Sequence, residues 1–76
     1  MKYNYEVWYE VEINGTVTGE NLRCVVSSDR KAMAELRDEF ETKRLRYDGT
    51  KKEDGKLVPY FKANGRRGCI RKILAD

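Results

Sequence analysis

The sequence predicts an α+β fold: one small domain of order β-β-α-β-β, an antiparallel sheet with a single helix packed on one face. Three observations carry this. Residues Lys2 to Ile13 alternate apolar and polar with period two. Ala32, Met33, Leu36 and Phe40 form an apolar stripe at helical spacing. Asn-Gly pairs at 14–15 and 64–65 each separate two candidate strands, and Asn-Gly suits the type I′ hairpin, which needs φ > 0 at both central residues.

The first strand places Tyr3, Tyr5, Val7, Tyr9, Val11 and Ile13 on one face and Lys2, Asn4, Glu6, Glu10 and Glu12 on the other. With Asn14 and Gly15 as a two-residue loop, Val7 faces Leu22, Tyr5 faces Cys24 and Tyr3 faces Val26, while Glu6 faces Arg23 on the polar side. Such pairs stabilise a ladder by about 0.2–1 kcal/mol each, and a one-residue slip would turn every side chain to the wrong face. Gly19 reads as a bulge or twist point. The first hairpin thus spans residues 2–28.

Ser28 followed by Asp29 reads as a helix N-cap with an acid in the first turn, where the helix dipole favours negative charge. The helix is expected over 29–44, with Lys31/Glu35 and Glu39/Lys43 as i,i+4 pairs on its flanks. Residues 45–56 contain two Asp-Gly pairs and no periodicity, which predicts a mobile loop with a tight turn at each pair. A second hairpin follows over 57–74. In its simple register Tyr60 faces Cys69, Val58 faces Arg71, Phe61 faces Gly68 and Pro59 faces Ile70. Neither face is wholly apolar, and a bulge at Gly68 would repair this. Pro59 places its strand at an edge, or itself at a strand start.

A chain of 76 residues makes one domain with a thin core, burying about 60% of the surface its unfolded form exposes. No apolar run approaches the ~20 residues that cross a bilayer, and the N-terminus lacks the apolar segment of a signal peptide. The chain is therefore read as cytoplasmic, with no membrane partner and with Cys24 and Cys69 reduced. The net charge of +3 conceals a division: residues 1–42 carry five basic and nine acidic side chains, net −4, and residues 43–76 carry eleven and four, net +7. Asymmetry of this kind points to an anionic partner.

Nothing in the sequence assembles a reaction centre. Histidine is absent, which removes the commonest general base and zinc ligand together. Cys24 falls in the apolar ladder, where a nucleophile would have no activator. Glu6, Glu10 and Glu12 would stand in water with nothing to raise a pKa. The glycines match neither the Walker A pattern nor the dinucleotide fingerprint. The expectation is a protein that is not an enzyme and takes no metal or cofactor.

What remains is surface. Trp8 stands among Glu6 and Glu10 on the outward side of the first strand. Either it packs against Val25 and a covering segment, or it centres an acidic, aromatic patch for a protein partner. In the second hairpin, Lys62, Arg66, Arg67, Arg71 and Lys72 crowd one turn beside Tyr60 and Phe61. Basic side chains interleaved with aromatics are what single-stranded nucleic-acid binders use.

A tiny, cofactor-free domain of this kind, with its hairpin and helix over Lys2 to about Arg44 and two differently charged surfaces, resembles the small accessory proteins that bacteriophages encode to inhibit host machinery. Anti-CRISPR proteins and inhibitors of RNA polymerase are among them. The likeness is architectural and transfers no residue. Many such inhibitors are acidic DNA mimics, and the basic C-terminal half departs from that pattern. The resemblance therefore implies occlusion of a protein or ribonucleoprotein surface inside a bacterial host cell. The leading expectation is a non-catalytic domain that binds a protein or nucleoprotein partner through Trp8, Glu6, Glu10 and the basic hairpin. The alternatives are a nucleic-acid binder or transcriptional regulator using Lys62 to Lys72, and a homo-oligomer in which the acidic strand of one copy meets the basic hairpin of another.

Overall fold

A computed structural model describes residues 1–75. The elements are β1 (Tyr3–Ile13), β2 (Thr16–Val26), α1 (Asp29–Glu39), β3 (Arg46–Glu53), β4 (Lys56–Ala63) and β5 (Arg66–Leu74). The strands form one antiparallel sheet of order β2-β1-β5-β4-β3. The fold is α+β, as the sequence predicts, with one strand more than expected.

That strand is β3, which occupies most of the segment predicted to be a mobile loop. Two features hid it. It lies at the edge of the sheet with little apolar surface to bury, so it shows no alternation. Its pairing with β4 also shifts register between Tyr47 and Thr50, where Gly49 takes a φ of +92°. The first Asp-Gly pair is thus a bulge rather than a turn. The second, Asp54-Gly55 at φ 50° and 78°, is the β3–β4 hairpin loop and matches Asn14-Gly15 and Asn64-Gly65 in conformation.

The β1–β2 register begins as expected, with Ile13 opposite Thr16, and then slips twice. Thr18 and Arg23 are the extra residues on β2, so Val7 faces Cys24 and Tyr5 faces Val26. Leu22 moves to the opposite face as the partner of Trp8. The bulge at Arg23 turns its guanidinium onto the helix, where it donates to Glu35 (3.1 Å) and Glu39 (2.6 Å).

Ser28 caps the helix as predicted, its Oγ accepting the Lys31 N–H at 3.2 Å. The helix stops at Glu39, short of the expected Arg44, because Glu41 turns left-handed at φ 52°. The Glu41 N–H then donates to the Asp38 carbonyl and the Thr42 N–H to the Arg37 carbonyl, the two bonds of a Schellman closure. Reversal at this point keeps Phe40 in the core, 1% exposed, and swings the chain toward β3.

Val7, Ala32, Leu36, Phe40 and Ile70 make the dry core between helix and sheet. Gly68 allows the close approach. A Cβ there would lie 2.5 Å from the Trp8 carbonyl oxygen and 2.8 Å from Leu36 Cδ1. No bulge occurs at Gly68, since the β4–β5 ladder runs regularly from Ala63↔Arg66 to Tyr60↔Cys69. Both faces of this hairpin are partly apolar because β5 is central and has a cluster on each side. Pro59 is likewise in an interior strand, not at an edge or strand start. It is tolerated because the β5 ladder ends at Tyr60↔Cys69, and the next rung would require the N–H that proline lacks. Cys24 packs on the helix side and Cys69 on the other, so the two thiols are separated by the sheet and remain free.

Candidate interaction surface

The helix packs on β1, β2 and β5 from one side only. The opposite side, here the open face, carries a second buried cluster: Val58, Tyr60 and Cys69, with Trp8 packed against it. Among the described residues no second layer of backbone covers this cluster. Two arginines from β5 roof it instead.

Arg71 donates through Nε to Glu53 at 2.8 Å and through Nη2 to Glu20 at 2.9 Å and Tyr60 Oη at 3.3 Å, and its guanidinium carbon lies 5.2 Å from the Trp8 ring centre. Glu20 belongs to β2 and Glu53 to β3, the two outermost strands. A central arginine thus clasps carboxylates from both edges across the intervening aromatics. Arg67 repeats the device four residues back along β5, with Cys69 between the two arginines on the same face. It donates to Glu10 of β1 (2.8 Å) and Asp48 of β3 (2.7 Å), and its guanidinium lies 4.1 Å from the Tyr60 ring centre. Cation–π contacts of this type contribute roughly 0.5–2 kcal/mol, more as they become desolvated.

The electrostatics follow. The hydrogen bond from Arg71, with that from Tyr60, holds the Glu53 carboxyl below its ordinary value, and Arg67 does the same for Asp48. The carboxylate partners in turn raise both guanidinium values, chiefly through Glu53 for Arg71 and Asp48 for Arg67. Burial, aided by the Glu53 hydrogen bond, raises the Tyr60 hydroxyl. Burial also pushes the Cys69 thiol up to about 12. A thiol so protonated is a poor nucleophile, and Cys24 is raised as well, first by burial and then by Glu35.

The residues expected to form two opposed charged sites are therefore placed differently. Glu10 is neutralised by Arg67, so the surroundings of Trp8 are not an acidic patch. Trp8 itself is half-buried, its Nε1 donating to Glu6 at 3.0 Å. The basic hairpin is divided by the sheet: Arg67, Arg71 and Tyr60 lie on the open face, whereas Arg66, Phe61 and Lys72 lie on the helix side. Lys72 sits 4.1 Å from the Tyr3 ring centre. Lys62 extends toward Asp48 at 3.7 Å.

Arg66 serves the helix. It donates to the Glu39 carbonyl at 2.7 Å and pairs with the Glu39 carboxylate at 3.0 Å, while Asn64 Nδ2 donates to the Phe40 carbonyl at 2.7 Å. The turn thus caps the helix C-terminus, where orphan carbonyls and the dipole favour a cation. Glu20, Asp48, Glu53 and Leu22 are the open-face residues that sequence reasoning missed. The first three gave no local signal because their partners come from distant strands, and Leu22 moved there through the bulge at Arg23.

Leu22 and Val25, at 45% and 46% exposed, continue the apolar surface from Trp8 along β2. Among the described residues there is no group of three His, Cys, Asp or Glu positioned to hold a metal ion, and no helix is long and apolar enough to cross a membrane. The chain matches no protein-family model, and comparisons with curated proteins and with solved structures find no match.

Proposed function

We propose that this protein is a non-catalytic binding domain that docks the open face of its sheet onto a protein or nucleoprotein partner. The observation that carries the reading is the composition of that face. Leu22 and Val25, 45% and 46% exposed, extend an apolar strip along β2 from the half-buried Trp8, which Arg71 covers in part, and beside it the charged groups are already paired and hydrogen-bonded. A partner would meet a surface whose arginines are fixed by Glu10, Glu20, Asp48 and Glu53, so little side-chain entropy would be lost on docking. An anchor of tryptophan with neighbouring aliphatics, rimmed by polar groups, is the usual anatomy of an interface centre.

In this reading the domain acts by occlusion, the mechanism implied by its likeness to phage-encoded inhibitors, and its place of action is the cytoplasm of a bacterial cell. Nucleic-acid binding through the second hairpin is less well supported. Arg66, Arg67 and Arg71 are each committed to carboxylates within the domain, and a phosphate would have to displace them.

The test is affinity capture from bacterial extract by the wild-type protein, a Leu22→Asp/Val25→Asp variant and a Lys52→Glu control. All three are first shown to be folded by their thermal melts. The expected result is a partner retained by wild type and control and depleted at least ~10-fold on the double variant, equivalent to about 1.4 kcal/mol. Equal retention by all three, or no specific partner on any, overturns the assignment.

A further inference from the structure

We infer that the protein has a second, separate site, a cationic concavity for the phosphate backbone of a single-stranded nucleic acid, built by Arg44, Arg46 and Lys62. It goes beyond the open-face reading and does not depend on it. The concavity, about 610 Å³, lies where the chain leaves α1, enters β3 and meets the Asn64-Gly65 turn. This volume is within the ~300–1,000 Å³ range of ordinary ligand sites.

The arrangement of charge is the first argument. In the sheet, Arg46 is the direct partner of Lys62, and Lys62 is the direct partner of Arg67. Three cations therefore stand in a row across three adjacent strands. Like charges directly opposite one another destabilise a ladder, and the compensation in this row comes from Asp48 and, for Arg67 alone, from Glu10. The Asp48 carboxylate takes its close bond from Arg67 at 2.7 Å and reaches Lys62 only at 3.7 Å. Arg44 and Arg46 have no carboxylate partner among the described residues. Of the acids lining the concavity, Glu10 is taken by Arg67, which leaves Glu12 as the opposing charge. The net field is positive, and an anion entering it would relieve the repulsion between Arg46 and Lys62.

The second argument selects the ligand. Tyr47 follows Arg46 on the edge strand and points to the other face, 63% exposed. Its ring is held edge-on against Phe61, with centroids 6.1 Å apart at 65°, and its hydroxyl bonds Thr50. An exposed ring one residue from Arg46 and three from Arg44 supplies, with them, both elements of single-strand recognition, charge for the backbone and a platform for a base. The free outer edge of β3 lets a flexible strand pass from one face to the other. A rigid duplex would not follow that path.

The test is fluorescence anisotropy with a fluorescein-labelled oligo-dT, a labelled hairpin duplex of equal charge, and pyrophosphate as competitor. The expected result is saturable single-strand binding at low salt, weakened at least 10-fold by an Arg44→Gln/Arg46→Gln/Lys62→Gln variant and several-fold by Tyr47→Leu. An Arg30→Gln/Lys31→Gln control at the far end of the helix should bind as wild type. With about three phosphates neutralised, the log–log salt slope should be near −2, from about 0.7 per phosphate on single strands. The triple variant removes only exposed cations, and its melting temperature, measured alongside, should match or exceed that of wild type. Absence of oligonucleotide binding, binding unaffected in the triple variant, equal affinity for the duplex, or a response to pyrophosphate alone would each overturn the inference. None of these outcomes touches Leu22 or Val25, so the open-face reading stands or falls separately.

Discussion

The two faces of the sheet solve the same problem with different materials. On one side a helix lays Ala32, Leu36 and Phe40 onto Val7 and Ile70, and water is excluded by close packing of carbon. On the other side Val58, Tyr60 and Cys69 are as well buried, but their cover consists of Arg67 and Arg71 held by four carboxylates. One short helix cannot cover five strands on both sides. The difference teaches that an extended guanidinium, satisfied at both ends, can substitute for a layer of backbone while leaving a polar, preorganised surface.

That contrast can be broken first on the helix side. Gly68→Ala places a methyl against the Trp8 carbonyl, which is backbone and cannot swing away, as well as against Leu36. Overpacking of this kind costs roughly 1–3 kcal/mol and occasionally more. The expected loss is about 3 kcal/mol, read as a fall in the urea midpoint. A change below about 0.5 kcal/mol would mean that helix and sheet are packed more loosely than described.

The open face should respond less, and differently. Arg71→Met keeps most of the side-chain volume over Trp8 but strands Glu20 and Glu53. With the side chain 22% exposed, the cost should fall between the surface and buried limits for ion pairs, about 2 kcal/mol. The informative comparison is the triple variant Arg71→Met/Glu20→Gln/Glu53→Gln, which removes the stranded charges and should recover half or more of the loss. If it recovers nothing, the clasp stabilises through its geometry rather than by charge satisfaction.

The smallest effect is the pH dependence. Glu53 is lowered by its bond from Arg71 and Asp48 by its bond from Arg67. Burial pushes Glu39 up, but the bonds from Arg23 and Arg66 outweigh it and leave its value lowered as well. A carboxyl with a depressed folded pKa contributes stability that is fully present above its unfolded value, near 4.5 for Glu and 3.8 for Asp, and lost as the pH falls through the folded value. Urea midpoints should therefore be flat from pH 7 to about 5 and decline below about pH 4.5. In Glu53→Gln the decline should be shallower. An identical acid limb in that variant would remove Glu53 from the account.

Much of the fold was legible because its signals are local. The alternation from Tyr3 to Ile13, the Asn-Gly turns and the Ser28 cap each act within a few residues, so the chain carries their geometry wherever it folds. The strand β3 was not legible, since a bulge at Gly49 and an edge position erase the periodicity by which strands are recognised. The candidate sites were least legible of all. The sequence suggested a basic hairpin and an acidic strand as two separate charged surfaces, whereas Arg67 meets Glu10 across 57 residues of chain and Arg71 meets Glu20 across 51.

By itself the sequence determined the class of fold, its turns, the start of its helix and the identity of its core stripe. The tertiary structure alone decided which charges remain available. Placing β5 beside β1 brought the basic C-terminal half against the acidic N-terminal half, so that Arg66, Arg67 and Arg71 formed internal ion pairs with Glu39, Glu10 and Glu20. Charge is additive along a chain, but its availability to a partner depends on distances of a few ångströms, and those are set by strand order and register.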